Sequence, residues 1–100
     1  MNIKQEINLR LNNLKHTIHA LKEEASDGIT AEQLENALKS GFEVIEEYTD
    51  DPRGISCMVL CSIAGKPVHV VCAPHEDALI IITVYIPDAS KWTDNYKKRK

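Results

Sequence analysis

The stretch that decides the fold is ISCMVLCSIAGKPVHVVCAPHEDALIIITVYI, residues 55–86. Three runs rich in Val, Ile and Cys, spanning 55–63, 68–73 and 79–86, are separated by Ala64-Gly65-Lys66-Pro67 and Pro74-His75-Glu76-Asp77. Both separators carry residues that bend chains. In the first run Ile55, Cys57, Val59, Cys61 and Ile63 alternate with Ser56 and Ser62, the period of a half-buried strand. In the third, strict alternation sends Ile80, Ile82, Val84 and Ile86 to one face and Ile81, Thr83 and Tyr85 to the other. His69 stands between Val68 and Val70 and points away from them, toward the face that also takes Val71. Connections this short favour an antiparallel meander.

Upstream, Phe42–Tyr48 reads as a further strand, followed by the turn Thr49-Asp50-Asp51-Pro52-Arg53-Gly54. Before it, Thr30 and Gln33 form a capping box, Ile29 and Leu34 are placed as a hydrophobic staple, and Leu34, Ala37 and Leu38 supply a buried helix face that Gly41 ends. Ile3, Ile7, Leu11, Leu14, Ile18, Leu21 and Ala25 recur at spacings of three and four, which predicts one helix over residues 3–25, stopped at Gly28. Downstream, Pro87 ends the last strand and Asp88 caps a short helix with Trp92 and Tyr96 four apart. The expected fold is α+β: two N-terminal helices packed on a four-stranded antiparallel meander sheet, then a short C-terminal helix.

One hundred residues make one domain with a single core. No apolar run approaches bilayer length, and the first residues lack a signal-peptide core, so a cytoplasmic protein without membrane contact is expected. Cys57, Cys61 and Cys72 are odd in number and form no CxxC pair, which reads as buried thiols. The net charge of −3 divides unevenly, at −6 over residues 1–51 and +3 over residues 52–100. Any nucleic-acid surface therefore belongs to the second half, where Lys91, Lys97, Lys98, Arg99 and Lys100 gather around Trp92 and Tyr96.

His69 and Tyr85 on one sheet face, near that tail, could serve metal-free RNA cleavage. A 2′-hydroxyl must lose a proton, a 5′-oxygen must gain one, and cations must hold the phosphate. Imidazole titrates near neutrality, phenol positions or stacks, and Arg53 offers two parallel hydrogen bonds. The bland alternative is a half-buried His with a backbone partner under a Tyr. His16 and His19 share a helix side without further ligands, so no metal site and no cofactor is read. Asp50 and Asp51 are turn residues rather than a catalytic pair.

Together the runs Thr17–Thr30 (T-x-HA-x-x-EE…DGIT), Asp50–Leu60 (DDPRG-x-SC-x-VL), Gly65–Ala73 (GKPVHVVCA) and Ile81–Trp92 (IITVYIPD…W) resemble the bacterial and archaeal domain of unknown function 4258 family. That family is grouped with the RelE-type toxins, of the BECR-type nucleases. The resemblance implies a toxin of a toxin–antitoxin system that cleaves mRNA without metal. It implies His19, His69, Tyr85 and Arg53 as the catalytic set, with Trp92, Lys97, Lys98 and Arg99 as RNA-binding residues. It also implies a CxxC-containing zinc-finger antitoxin as partner. The alternative is a non-catalytic protein-binding module of the same fold. RelE-type toxins tend to be basic, and this chain is acidic. Its exposed sheet edge and acidic first half suit a basic antitoxin segment or a second copy.

Overall fold

The computed structural model describes residues 2–50, 52 and 54–100. Its elements are α1 (Ile3–Asn8), β1 (Leu14–His16), α2 (Ile18–Ser26), α3 (Ala31–Ser40), β2 (Glu43–Tyr48), β3 (Ser56–Ile63), β4 (Lys66–His75), β5 (Ala78–Tyr85), β6 (Trp92–Thr93) and β7 (Lys98–Arg99). Strands β2 to β5 pair antiparallel, and β1 adds to β5 in parallel, giving a five-stranded mixed sheet of order β1-β5-β4-β3-β2. β6 and β7 form a separate two-stranded ribbon. No described helix is long and apolar enough to cross a membrane.

This corrects the expected two helices, four-stranded meander and C-terminal helix on three points. The single helix over residues 3–25 is two helices with a strand between them. Asn2 caps α1 and Thr17 caps α2, its Oγ1 accepting from the Ala20 amide at 3.0 Å. Between the caps Asn12-Asn13, poor helix formers, turn the chain. The Asn13 amide group donates to the Asp77 carbonyl, and its own carbonyl accepts from the Leu79 amide. The three-four spacing was satisfied by pieces. Ile3, Ile7 and Leu11 are buried, but Ile18 and Leu21 are 74% and 49% exposed while Ala20 and Glu24 face inward.

The C-terminal helix is instead the β6–β7 ribbon. Asp94, Asn95 and Tyr96 all take positive φ, between 53° and 69°. Asp and Asn tolerate this left-handed region better than most residues, so the connection reverses where helical spacing would have continued. The third correction concerns β5, where Val71 pairs with Thr83 but Cys72 pairs with Ile81. Ile82 is thus an extra residue, and a bulge inverts the alternation upstream of it. Leu79, Ile81 and Val84 are fully buried, whereas Ile80 and Ile82 are half-buried.

One side of the sheet carries the main core. Cys57, Val59, Cys61, Val68, Val70, Cys72, Leu79, Ile81 and Val84 meet α1, α2 and α3 through Ile3, Ile7, Ala20, Leu34 and Leu38. The three thiols are buried and free, with Cys57 and Cys72 register partners whose Sγ atoms lie 3.9 Å apart. The capping box of α3 forms as read, with Gln33 Oε1 accepting from the Thr30 amide at 2.9 Å. Ala64 and Gly65 make the two-residue β3–β4 turn, both at positive φ as a type I′ hairpin requires.

β1 and α2 are tied by a pair that spacing did not reveal: His16 Nδ1 lies 2.7 Å from Glu24 Oε2, the carboxylate side chain being 3% exposed. Glu24→Ala is expected to cost about 3 kcal/mol, because it strands a nearly buried imidazole without its partner. A urea midpoint shift at unchanged slope measures it.

Candidate functional site

The face of the sheet away from the helices is built around His69. Its β4 position sets it opposite Leu60 of β3 and Tyr85 of β5, and the β6–β7 ribbon lies across it. The imidazole is fully buried. Its Nε2 lies 2.8 Å from the Tyr96 carbonyl and its Nδ1 lies 3.1 Å from the Tyr85 hydroxyl. A carbonyl only accepts, so Nε2 carries the proton and Nδ1 accepts from Tyr85 O–H; the ring is neutral in this network. The Tyr85 oxygen also sits 3.7 Å from Met58 Sδ, a weaker acceptor than the imidazole nitrogen.

The rings stack outward in layers. Trp92 meets His69 edge-on, with centroids 4.3 Å apart at 75°, and Tyr85 meets it at 5.2 Å and 80°. Above Trp92, the Arg99 guanidinium lies 4.8 Å from the ring centroid. Arg99 in turn binds Glu46 of β2 through two hydrogen bonds, Nε to Oε2 at 2.8 Å and Nη2 to Oε1 at 3.1 Å. The Tyr48 hydroxyl donates to the same carboxylate, and Lys97 Nζ pairs with Glu43 at 3.2 Å. The ribbon is therefore held to β2 by charge and to β4 by aromatic packing.

Protonation follows from these contacts. Arg99 holds the Glu46 carboxyl below its usual range and is itself raised by that carboxylate. Burial, then the Glu46 contact, pushes Tyr48 up to about 12. Burial is also what raises the Tyr85 phenol. Burial lowers His69 below its ordinary 6.5, outweighing the Tyr96 hydrogen bond that favours the charged ring. An unfolded chain thus binds more protons than the folded one just below pH 6.5. The stabilisation is full above that pH and falls as acid approaches the folded pKa. Urea unfolding between pH 7.5 and pH 5 is expected to show this loss, and His69→Gln should reduce it.

Of the implied catalytic set, the described residues that the structure brings together are His69 and Tyr85. His69 is sealed beneath Trp92 and both its nitrogens are occupied. Arg53 lies outside the described residues. Among the implied RNA-binding residues, Trp92 is covered, Lys97 and Arg99 are neutralised by Glu43 and Glu46, and Lys98 is exposed on β7. His19 stands apart on α2, 68% exposed, with Nε2 3.2 Å from Glu23 Oε1. That same oxygen accepts from the Val84 amide at 3.0 Å, closing the edge of β5 beyond the end of β1.

Glu23 therefore tethers His19 to the edge of β5 at the Val84 amide, while the Tyr85 side chain projects to the sheet face opposite α2. Tyr85 lines a cleft of about 640 Å³ with Ser90, Lys91, Trp92, Arg99 and Lys100. Asp88, also in its wall, accepts from the Ser90 amide, which holds its carboxyl below the usual range. Arg99 is committed to Glu46, so Lys91 and Lys100 are the cations this cleft offers. Among the described residues no group of three or more His, Cys, Asp or Glu side chains is arranged to hold a metal ion.

A family model described as Domain of unknown function (DUF4258) matches residues 17–86. The chain belongs to the DUF4258 family. No curated protein and no solved structure matches it. The span matched by the DUF4258 model runs from the Thr17 cap of α2 to Ile86, just past β5, so it includes His19, Glu23 and His69 but not the ribbon that covers His69.

The residues that reading from sequence missed are Glu23, Glu46 and the Tyr96 carbonyl. The i, i+4 spacing of His19 and Glu23 was a usable signal. Glu46 and Arg99 are 53 positions apart, and nothing local links them.

Proposed function

We propose that this DUF4258 protein is a toxin-like endoribonuclease, with activity of the kind RelE-type toxins have, in which His19 rather than His69 moves the proton. The observation that carries the reading is the lysine-lined cleft against the Tyr85 phenol, with the solvent-exposed His19 imidazole held by Glu23 at the edge of β5 through the Val84 amide. Lys91 and Lys100 would bind the phosphate, and Tyr85, whose hydroxyl proton is held by His69 Nδ1, would position the substrate by stacking its ring on a base. His19 would take the 2′-hydroxyl proton as that oxygen attacks phosphorus. The departing 5′-oxygen would take its proton from water in the open cleft. The products are a 2′,3′-cyclic phosphate and a 5′-hydroxyl. His69 is then a positioning residue for Tyr85. RNA is the substrate, and a CxxC-containing zinc-finger antitoxin is the partner that would keep the enzyme silent.

Sealing of His69 favours one rival, a non-catalytic binding module of the same fold. Labelled single-stranded RNA incubated with purified protein separates the two. Cleavage with cyclic-phosphate ends, reduced on the order of 10² to 10⁴-fold by His19→Ala at unchanged melting temperature, supports the enzyme. RNA left intact by the wild type gives the case to the binding module.

A further inference from the structure

The ribbon covers only part of the outer sheet face. Beyond the Arg99–Glu46–Tyr48 contacts the described residues leave a cavity of about 650 Å³, lined by Tyr48, Val71, Ile82 and Pro52 together with Thr49, Ser56, Glu47 and Asp50. We infer that this groove, with the adjoining edge strand β2, is the docking site for an extended, basic and apolar segment of a partner protein.

Three observations select that occupant. First, the neighbouring half of the face already holds such a segment from this chain, where Trp92 packs inward while Lys97 and Arg99 pair with Glu43 and Glu46. The groove continues the same pattern, apolar side chains beside carboxylates, with no strand among the described residues laid over it. Second, residues 43–51 carry five acids (Glu43, Glu46, Glu47, Asp50, Asp51) and no base. Among the described residues Glu47 and Asp50 make no ion pair, and both carboxylates line the groove, where cations of a bound segment would meet them. Third, among the described residues β2 pairs with β3 alone and ends the sheet, leaving backbone groups for an added strand.

The same charges argue against other occupants. A nucleic acid would bring phosphates onto Glu47 and Asp50. A second copy joined edge to edge would set Glu43 and Glu47 against their own counterparts. The inference does not rest on the nuclease reading, since the groove and the Tyr85 cleft are separate cavities lined by different residues.

The test uses the full chain and three short fluorescein-labelled peptides: alternating lysine and leucine, alternating glutamate and leucine, and alternating lysine and serine. The lysine–leucine peptide is expected to bind best, to weaken with salt, and to shift the NMR signals of the Val71 and Ile82 methyl groups. Glu47→Lys/Asp50→Lys is expected to weaken it on the order of ten-fold or more, whereas Glu32→Lys/Glu35→Lys on α3 should not. Equal binding of the glutamate–leucine peptide would overturn the inference. So would equal loss in both charge-reversed variants, or methyl shifts confined to other surfaces.

Discussion

Replacing His69 by alanine is expected to lower the unfolding free energy by about 3 kcal/mol, roughly 15 °C in melting temperature for a chain this size. Two effects add. The lost ring leaves a void under Trp92 in a region that excludes water, and packing there recovers only in part. It also strands the Tyr85 hydroxyl and the Tyr96 carbonyl, each of which had the imidazole as partner. Differential scanning calorimetry reads the shift. His69→Gln, which keeps a donor and an acceptor, should recover part of it. A destabilisation this large separates a structural histidine from a reactive one, whose removal typically leaves stability near the wild type.

Trp92→Ala is expected to have a comparable effect, about 3 kcal/mol, with an additional consequence for accessibility. Trp92 is the layer between His69 and Arg99, so its removal lets go of the ribbon from both sides. The Arg99–Glu46 pair, with the arginine side chain 61% exposed, helps to fasten the ribbon but does not hold it without the Trp92 packing. His69 should then react with diethyl pyrocarbonate at a rate approaching that of exposed His19, whereas in the wild type it should be protected. Trp92→Phe, which keeps a ring over the imidazole, should preserve most of the protection.

The parts of the fold that were legible from sequence are those governed by local chemistry. The Thr30–Gln33 capping box, the Ala64-Gly65 turn and the strand character of residues 56–63 each depend on neighbours a few positions away. The errors arose where a non-local partner overrode a local pattern. Apolar residues at helical spacing over residues 3–25 did not reveal that Asn13 would bond to the β4–β5 loop, or that residues 14–16 would join the edge of β5. The period-two reading of β5 failed at Ile82, because a bulge leaves no mark in composition when both flanking residues are aliphatic. Trp92 and Tyr96 fitted a helix by spacing, yet Asp94-Asn95 carried the turn signal that prevailed.

For the site, the placing of His69 and Tyr85 on one sheet face was legible from strand alternation, whereas their direct pairing is a matter of register. The burial of His69 was not legible, because it depends on the ribbon folding back over the sheet. Contact across that distance in sequence comes from Glu43 and Glu46 of β2, which turn the basic tail from a free surface into a fastening. Of His19 and His69 the exposed one is therefore His19 on α2, and the proposed chemistry moves with it.

The most direct measurement of this account is nitrogen-15 NMR of the His69 ring across pH 5 to pH 8. A neutral ring protonated on Nε2, with that proton slow to exchange with water and no full titration near 6.5, is the predicted result. A ring protonated on Nδ1, or one that titrates freely at 6.5 with fast proton exchange, would contradict the sealed network and with it the division of roles between His69 and His19.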